Sequence, residues 1–341
     1  MKIAELEAFK QPLALKTVPD PQLGPTDVLV EPDVCSICNT DWHAWRGDWP
    51  LQLPIVLGHQ LAGRVAAVGE AVTKVSVGDR VLSNFAISCG DCYYCRHGYD
   101  NICAHWQVLG LTRQGGFAEQ VAIPERALER LPEGMSGEEA SLLTCGFGTP
   151  YRAFMDAEIK PGEVVLILGG ILWGLASIQL VHLAGGVAVV ADADERRLKQ
   201  AEAHGADGVL KVGVDDLMEA GKQRTEGRGW DVVLDYSADA DLIGRALLAT
   251  RRRGRLCLVG QATRMKPLEA VLEKLIFEEI IVRGAFLARQ SDMQDLLQIY
   301  RQGKLAIAPL VSHRLSFSEI DRGFQLMDTE TPTAVVIHIH R

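Results

Sequence analysis

From about residue 153 the texture of the chain changes to short apolar runs alternating with helical ones, and no other feature limits its fold so strongly. "EVVLILGG" (163–170) leads into a helical run to Leu183. "VAVVADAD" (187–194) leads into another to His204, and "DGVLKV" (207–212) follows. "DVVLDYSA" (231–238), the helical "LIGRALLATRRRG" (242–254), "RLCLVGQA" (255–262) and "IIVRGAF" (280–286) continue the series. Strands separated by helices pair in parallel through crossovers, so the reading is a βαβ series forming a doubly wound parallel sheet. Residues 1 to about 150 have a different texture, rich in Val, Pro and Gly. "DVLVEPDVC" (27–35), "LAGRVAAVG" (61–69) and "GDRVLSNFA" (78–86) read as strands of a small, irregular β domain. After about 290, "DMQDLLQIYRQGK" and "EIDRGFQLMD" read as amphipathic helices and "TAVVIHIH" as a closing strand. A length of 341 residues suits two domains.

The net charge of −9 argues against nucleic acid or an anionic membrane surface as a partner. The first residues, MKIAELEAFKQPLAL, carry acids early and no long apolar run, so no signal peptide is expected. Apolar stretches fall far short of the ~20 residues of a membrane span. The expectation is a cytoplasmic protein, in which eight cysteines are not disulfides.

Four of those cysteines lie in "CGDCYYCRHGYDNIC", where Cys89, Cys92, Cys95 and Cys103 follow C-x2-C-x2-C-x7-C. Two-residue gaps let thiolates converge on one small cation, and four thiolates close a tetrahedral zinc shell with no open position. The competing reading is an iron–sulfur cluster. The absence of a proline after the last cysteine and the long final gap count against it. His97 and His105 beside the run read as surface residues.

A second set is dispersed. "CSICNTDWHAW" offers Cys35, Cys38, Thr40, Asp41 and His43; "VLGHQLAG" offers His59; "LLTCGFGTPY" offers Cys145. Each is weak alone. Together with the four-cysteine run they closely resemble the zinc-dependent alcohol dehydrogenases of the medium-chain dehydrogenase/reductase family, in motif order and spacing, over nearly the whole chain. The resemblance implies an α/β protein: a doubly wound parallel Rossmann sheet at 153–287, plus an irregular GroES-like β domain formed by 1–152 and 288–341, with a structural zinc lobe at 89–103. The active site is then expected in the cleft between the domains. The resemblance further implies two zinc ions per chain. Cys38, His59 and Cys145 would be the three ligands of a catalytic zinc, leaving a fourth position for water or a substrate oxygen. Thr40 would contact the substrate oxygen, and His43 would pass the proton to solvent. Asp41 would orient His59. The chain departs from the family at Gln60, where a glutamate is usual; an amide keeps an oxygen and loses the charge. Trp49 and Phe85 match positions lining the substrate cleft. Most aromatics near the metal motifs, including Trp42, Trp45 and Trp106, are expected to pack the β domain. If two or three face the cleft, a bulky or aromatic alcohol fits better than ethanol.

The run "VVLILGGILWGLASIQL" (164–180) carries the cofactor question. The family's G-x-G-x-x-G turn holds the cofactor pyrophosphate, and here Gly169 and Gly174 keep the outer positions while Ile171 replaces the middle glycine. Trp173 stands where a small aliphatic residue is usual, and "TPTAVVI" lacks an arginine that many relatives offer the pyrophosphate. Against these changes, Asp192 ends the second strand where an acid binds both ribose hydroxyls, and Asp194 adds to the repulsion of a 2′-phosphate. Arg196 and Arg197 favour NADP in principle but are expected to be exposed on the next helix. The resemblance thus assigns Gly169, Gly170, Gly174, Asp192 and Thr149 to the cofactor, with NAD preferred.

Three functions follow as alternatives. The first is a zinc- and NAD-dependent dehydrogenase interconverting an alcohol and an aldehyde or ketone. The second is a zinc-dependent reductase of an activated double bond or imine. The third is a non-catalytic, zinc-stabilised binding protein with an impaired cofactor loop. A homodimer or homotetramer joined through the cofactor domain is expected. There "EEIIVRGAF" is either an interface edge strand or the last internal strand.

Overall fold

The computed structural model describes residues 1–260 and 272–340; Gln261 and Ala262 of the "RLCLVGQA" run lie outside the described residues. The chain divides into two compact units, Met1–Gly148 with Leu287–Arg341, and Thr149–Phe286. The first division falls at the start of the Gly148–Ala157 helix instead of at residue 152.

In the first unit the long strand Asp27–Ile37 is the organiser. It pairs antiparallel with Gln60–Val68, Val121–Pro124 and the closing strand Val335–His338, which itself pairs in parallel with His313–Ser316. The far end of this sheet is Arg80–Ser83 and Leu128–Arg130. A smaller sheet of Ala14–Thr17, Lys2–Leu6 and Ile55–Val56 lies apart from it. Asp27–Ile37 alternates half-buried with buried residues over most of its length, as expected when one face packs on a core. That core gathers Leu6, Val30, Leu57, Leu61, Phe117 and Phe324, from both ends of the chain.

The second unit holds the parallel sheet. Its six strands run in the order Gly208–Lys211, Val187–Asp192, Val164–Leu168, Trp230–Asp235, Thr250–Leu258, Ile281–Gly284, every pair parallel. Every residue of Val164–Leu168 and of Trp230–Asp235 is buried, without alternation, because crossover helices cover both faces. The strand order reverses beside Val164–Leu168, so the turn after Leu168 stands at the topological switch point, where open α/β sheets bind ligands. The Ile281–Gly284 strand is the sheet's edge, with all four residues exposed. One segment departs from expectation: the helix ends at Ala249, and Thr250–Gly254 of the "TRRRG" run opens the next strand as a bulge. Thr250 takes extended φ/ψ and pairs with Trp230, so sheet pairing overrides the helical pattern.

Candidate metal centres and cofactor turn

Two groups of side chains among the described residues are placed to hold a metal ion. The first sits in a lobe closed at its base by Ala86–Ile87 paired with Gln107–Val108. Its helix, Tyr93–Arg96, buries no residue, and only a single turn at Asp100–Ile102 follows. Such a lobe has too little apolar surface to order itself. The Sγ atoms of Cys92 and Cys95 are 3.6 Å apart, those of Cys92 and Cys103 3.8 Å, and those of Cys89 and Cys95 3.9 Å. A disulfide needs about 2.05 Å, whereas two thiolates on a tetrahedral zinc stand roughly 3.8 Å apart. Backbone N–H groups donate to the sulfurs, from Cys89 and His105 to Cys103 (3.2 and 3.3 Å) and from Cys92 to Cys89 (3.4 Å). The backbone N–H of Cys95 helps bring the Cys92 thiol down to about 6, while burial pushes Cys95 up to about 12. Thiolates this close repel one another unless a cation sits among them, and zinc fits the set. His97 and His105 are exposed and outside it. Cys103→Ser is therefore expected to lower Tm by roughly 6–12 °C, taking the loss as about 3 kcal/mol. Calorimetry and metal analysis check this; an unchanged Tm with full metal content would remove the structural role.

The second group is Cys38, His59 and Cys145, all buried, with ligand atoms within 4.8 Å of one another. Each comes from a different element. Cys38 is the N-cap of the Asn39–Arg46 helix, where the dipole favours a thiolate. His59 immediately precedes the Gln60–Val68 strand. Cys145 lies in a π-helical turn, Leu143–Phe147, set between the Gly137–Leu142 and Gly148–Ala157 helices. Such turns add a residue to the helical ring and re-aim a side chain. The Cys38 and Cys145 sulfurs are 3.9 Å apart. The bond with Cys145, and then His59, hold the Cys38 thiol well below its ordinary range against the effect of burial. Among the described residues, His59 Nε2 is buried with no hydrogen-bond partner, an arrangement costly to maintain unless a ligand takes the lone pair. Two sulfurs and this imidazole nitrogen are the donors zinc prefers. Cys35 is not among them; it is a core residue whose thiol burial pushes up.

Asp41 ties the group together. Fully buried, it accepts from Cys38 N (2.9 Å), Gly58 N (3.0 Å) and His59 Nδ1 (3.1 Å). One carboxylate thus fixes the helix start bearing one candidate donor and the loop bearing another, more than the orientation of His59 alone. Gln60 is fully buried, and neither amide atom has a hydrogen-bond partner among the described residues. Thr40 is buried one position after Asn39. His43 is about a quarter exposed, and its Nδ1 lies 2.7 Å from Asp48 Oδ2. Asp48 is a partner that sequence reading missed; its acidic side chain five residues on was the available signal. The His43 bond holds the Asp48 carboxyl below its usual range. The Trp49 ring is 6.0 Å from that of His43, and the buried Phe85 ring 5.1 Å from that of His59. Trp45 packs on Phe324 in the core.

In the second unit, Gly169 has φ +104°, a conformation side chains rarely adopt. A Cβ on Gly174 would lie 2.1 Å from the Gly169 oxygen, so a glycine there lets the Leu172–Leu183 helix approach the strand. Ile171 is the N-cap, at φ −76° and ψ 177°. This backbone suits any residue, so only the bulk of the isoleucine, not its conformation, distinguishes it from glycine. No side chain caps this helix and no acid stands in its first turn, which leaves its N-terminal N–H groups suited to an anion. Asp192 is engaged by the turn itself: Oδ2 accepts from Gly170 N (2.8 Å) and Oδ1 from Asp194 N (2.8 Å). Each oxygen keeps a second lone pair for a hydroxyl donor. Arg196 is exposed and pairs with Asp194, but Arg197 reaches within 3.7 Å of Asp192, closer than expected of a solvent-facing helix residue. Trp173 is buried, its ring 6.0 Å from that of Tyr236, whose hydroxyl is 2.6 Å from Ser177 Oγ. Thr149 is buried at the start of this unit.

Comparison with known proteins agrees with both units. Residues 24–133 match the alcohol dehydrogenase GroES-like domain, and residues 173–302 match the zinc-binding dehydrogenase model. The chain is 33% identical over 308 residues to an alcohol dehydrogenase of Geobacillus stearothermophilus, covering 89% of this chain and 90% of that one. It is 32% identical over 330 residues to the L-threonine 3-dehydrogenase of Symbiobacterium thermophilum, covering 95% and 93%. Among solved structures, one from Sinorhizobium meliloti 1021, described as a zinc-binding dehydrogenase bound to NADP, superposes with a TM-score of 0.91 at 27% identity, over 99% of each chain. No helix among the described residues is long and apolar enough to cross a membrane.

Proposed function

The chain belongs to the zinc-type medium-chain dehydrogenase/reductase family and is an oxidoreductase, and from that premise we propose that it transfers hydride between an alcohol and NAD, giving an aldehyde or ketone. The observation that carries this reading is the buried set of three donors, Cys38, His59 and Cys145, with His59 Nε2 unpartnered. These three residues would hold zinc, which would supply a Lewis acid for a substrate oxygen. The four-cysteine set Cys89, Cys92, Cys95 and Cys103 would hold a second, structural zinc. Thr40 offers its hydroxyl to the same oxygen. His43 then moves the proton: Asp48 holds Nδ1–H in place, which leaves Nε2 to accept. Asp41 keeps His59 in the tautomer that presents Nε2. Gln60 contributes an uncharged amide where the family glutamate would add a charge. Trp49 and Phe85, beside His43 and His59, favour a bulky or aromatic alcohol.

NAD is preferred because the Asp192 carboxylate is set to receive ribose hydroxyls and repels a 2′-phosphate. NADP is the second reading, favoured by the approach of Arg197 to Asp192. Titration of the zinc-loaded protein with NADH and NADPH, read by tryptophan quenching and by turnover of aromatic alcohols, separates them. Micromolar NADH binding at least tenfold tighter than NADPH is expected. The reverse order hands the preference to NADP, and binding of neither, with no turnover, returns the chain to a binding protein. Oligomerisation is proposed through the exposed Ile281–Gly284 edge, flanked by exposed Ile276 and Phe277. Sedimentation equilibrium should find dimers or tetramers; a species of one chain's mass at micromolar concentration would end that proposal.

A further inference from the structure

The bulged "TRRRG" segment builds a cavity that the dehydrogenase chemistry does not use. Trp230 pairs with Thr250 and Val232 with Arg255, so Arg251–Gly254 stand opposite the single residue Asp231. The bulge is held at both ends. Arg251 bonds Asp231 and, at 3.1 Å, Glu163, while Arg253, at φ +55°, donates its backbone N–H to Glu278 O at 2.7 Å. A Cβ on Gly254 would meet Thr250 Cγ2 at 2.4 Å, so glycine lets the bulge close on itself. Bulges that re-aim side chains are features of function more often than defects.

Beside it opens a cavity of about 710 Å³, at the N-terminal ends of strands Trp230–Asp235 and Thr250–Leu258, whereas the cofactor turn follows the C-terminal end of Val164–Leu168. Its lining sets five cations, Lys222, Arg228, Arg251, Arg252 and Lys274, against the carboxylates of Asp231 and Glu278. Arg251 and Lys274 are committed to those carboxylates. Arg228 has only an exposed contact with Glu226 at 3.7 Å, and Lys222 and Arg252 have no carboxylate partner among the described residues. Exposed Met218 and Leu248 add an apolar wall. On a chain of net charge −9, uncompensated cations around one concavity concentrate a local positive field. The volume is that of a small-molecule site.

We propose that this cavity binds a small phosphorylated molecule, its anionic groups held by Lys222, Arg228 and Arg252 and its body against Met218 and Leu248. The competing account is that these cations only offset the carbonyl ends of the Leu217–Arg224 and Ala240–Ala249 helices.

Inorganic tripolyphosphate is the probe. It is titrated calorimetrically into the full, zinc-loaded chain, with and without saturating NADH, and into a Lys222→Gln/Arg252→Gln variant. Both side chains are exposed, so the variant should fold, and a melting curve checks it. The expected result is one site per chain, retained with NADH present and weakened at least tenfold in the variant, whose NADH affinity is unchanged. Binding that NADH displaces assigns the anion to the cofactor turn and overturns the proposal. So does equal binding by the variant. No binding by either protein, with the variant melting lower, establishes the helix-end account instead.

Discussion

Cys145→Ala is expected to abolish alcohol turnover, by roughly 10³-fold or more, equivalent to about 4 kcal/mol of lost transition-state stabilisation. The same variant should bind one zinc per chain fewer than the parent, with the lobe ion retained. Cys145 supplies one of two thiolates in a set of three donors. Its removal leaves one thiolate and one imidazole, too few for zinc at a buried site. The Cys38 thiol would also lose the neighbour that does most to hold it low. Far-UV circular dichroism should be unchanged, since the side chain lies within a π-helical turn whose backbone bonds do not depend on it. Cys35→Ala is the control: also buried in the core, but not one of the three donors, it should leave metal content and most activity as in the parent. A Cys145→Ala protein that retains two zinc ions and normal turnover would exclude Cys145 as a ligand.

The contrast between the two donor sets marks what the sequence makes legible. Local spacing carries information when the ligands are neighbours in the chain, so the lobe could be read from "CGDCYYCRHGYDNIC" by chemistry alone. Cys38, His59 and Cys145 are spread over more than a hundred residues, and no periodicity links them; only the family resemblance grouped them. The parallel sheet was legible because a strand buried on both faces is an unbroken apolar run, as in "VVLIL". What escaped was geometry set by tertiary packing. The π-helical turn that carries Cys145 has no composition signal beyond Gly146 within it and Gly148 after it. The triple duty of Asp41 depends on the loop before the Gln60 strand folding over the Asn39 helix. The bulge at Arg251–Gly254 has no sequence signal, because "ALLATRRR" carries helical propensity, which pairing of Thr250 with Trp230 overrides. The altered cofactor turn shows the converse. Ile171 breaks the fingerprint on paper, yet it sits in extended backbone that needs no glycine.

Asp41→Asn should have the second largest effect, acting on metal retention more than on substrate binding. The carboxylate accepts three N–H donors with no solvent access. An amide has one oxygen, so if that oxygen keeps Gly58 and His59, its NH2 group faces the Cys38 N–H, donor against donor. An unsatisfied buried N–H costs about 1–3 kcal/mol, and it would fall on the residue that begins the ligand-bearing helix. The substitution also removes the negative charge that fixes Nδ1–H of His59 and strengthens Nε2 as a donor to the metal; loss of such a partner typically weakens a site by roughly 10–100-fold. Zinc release to a chromogenic chelator should therefore be biphasic in the variant. The buried-site phase should accelerate by about that factor, while the four-cysteine phase, with which Asp41 has no contact, keeps the parent rate. Cobalt substitution gives an independent reading, because a displaced imidazole alters the ligand-field bands whether or not turnover survives. Parent-like release in both phases, with an unshifted cobalt spectrum, would mean that the Asp41 bonds support the fold alone and that His59 is oriented by its own packing against Phe85.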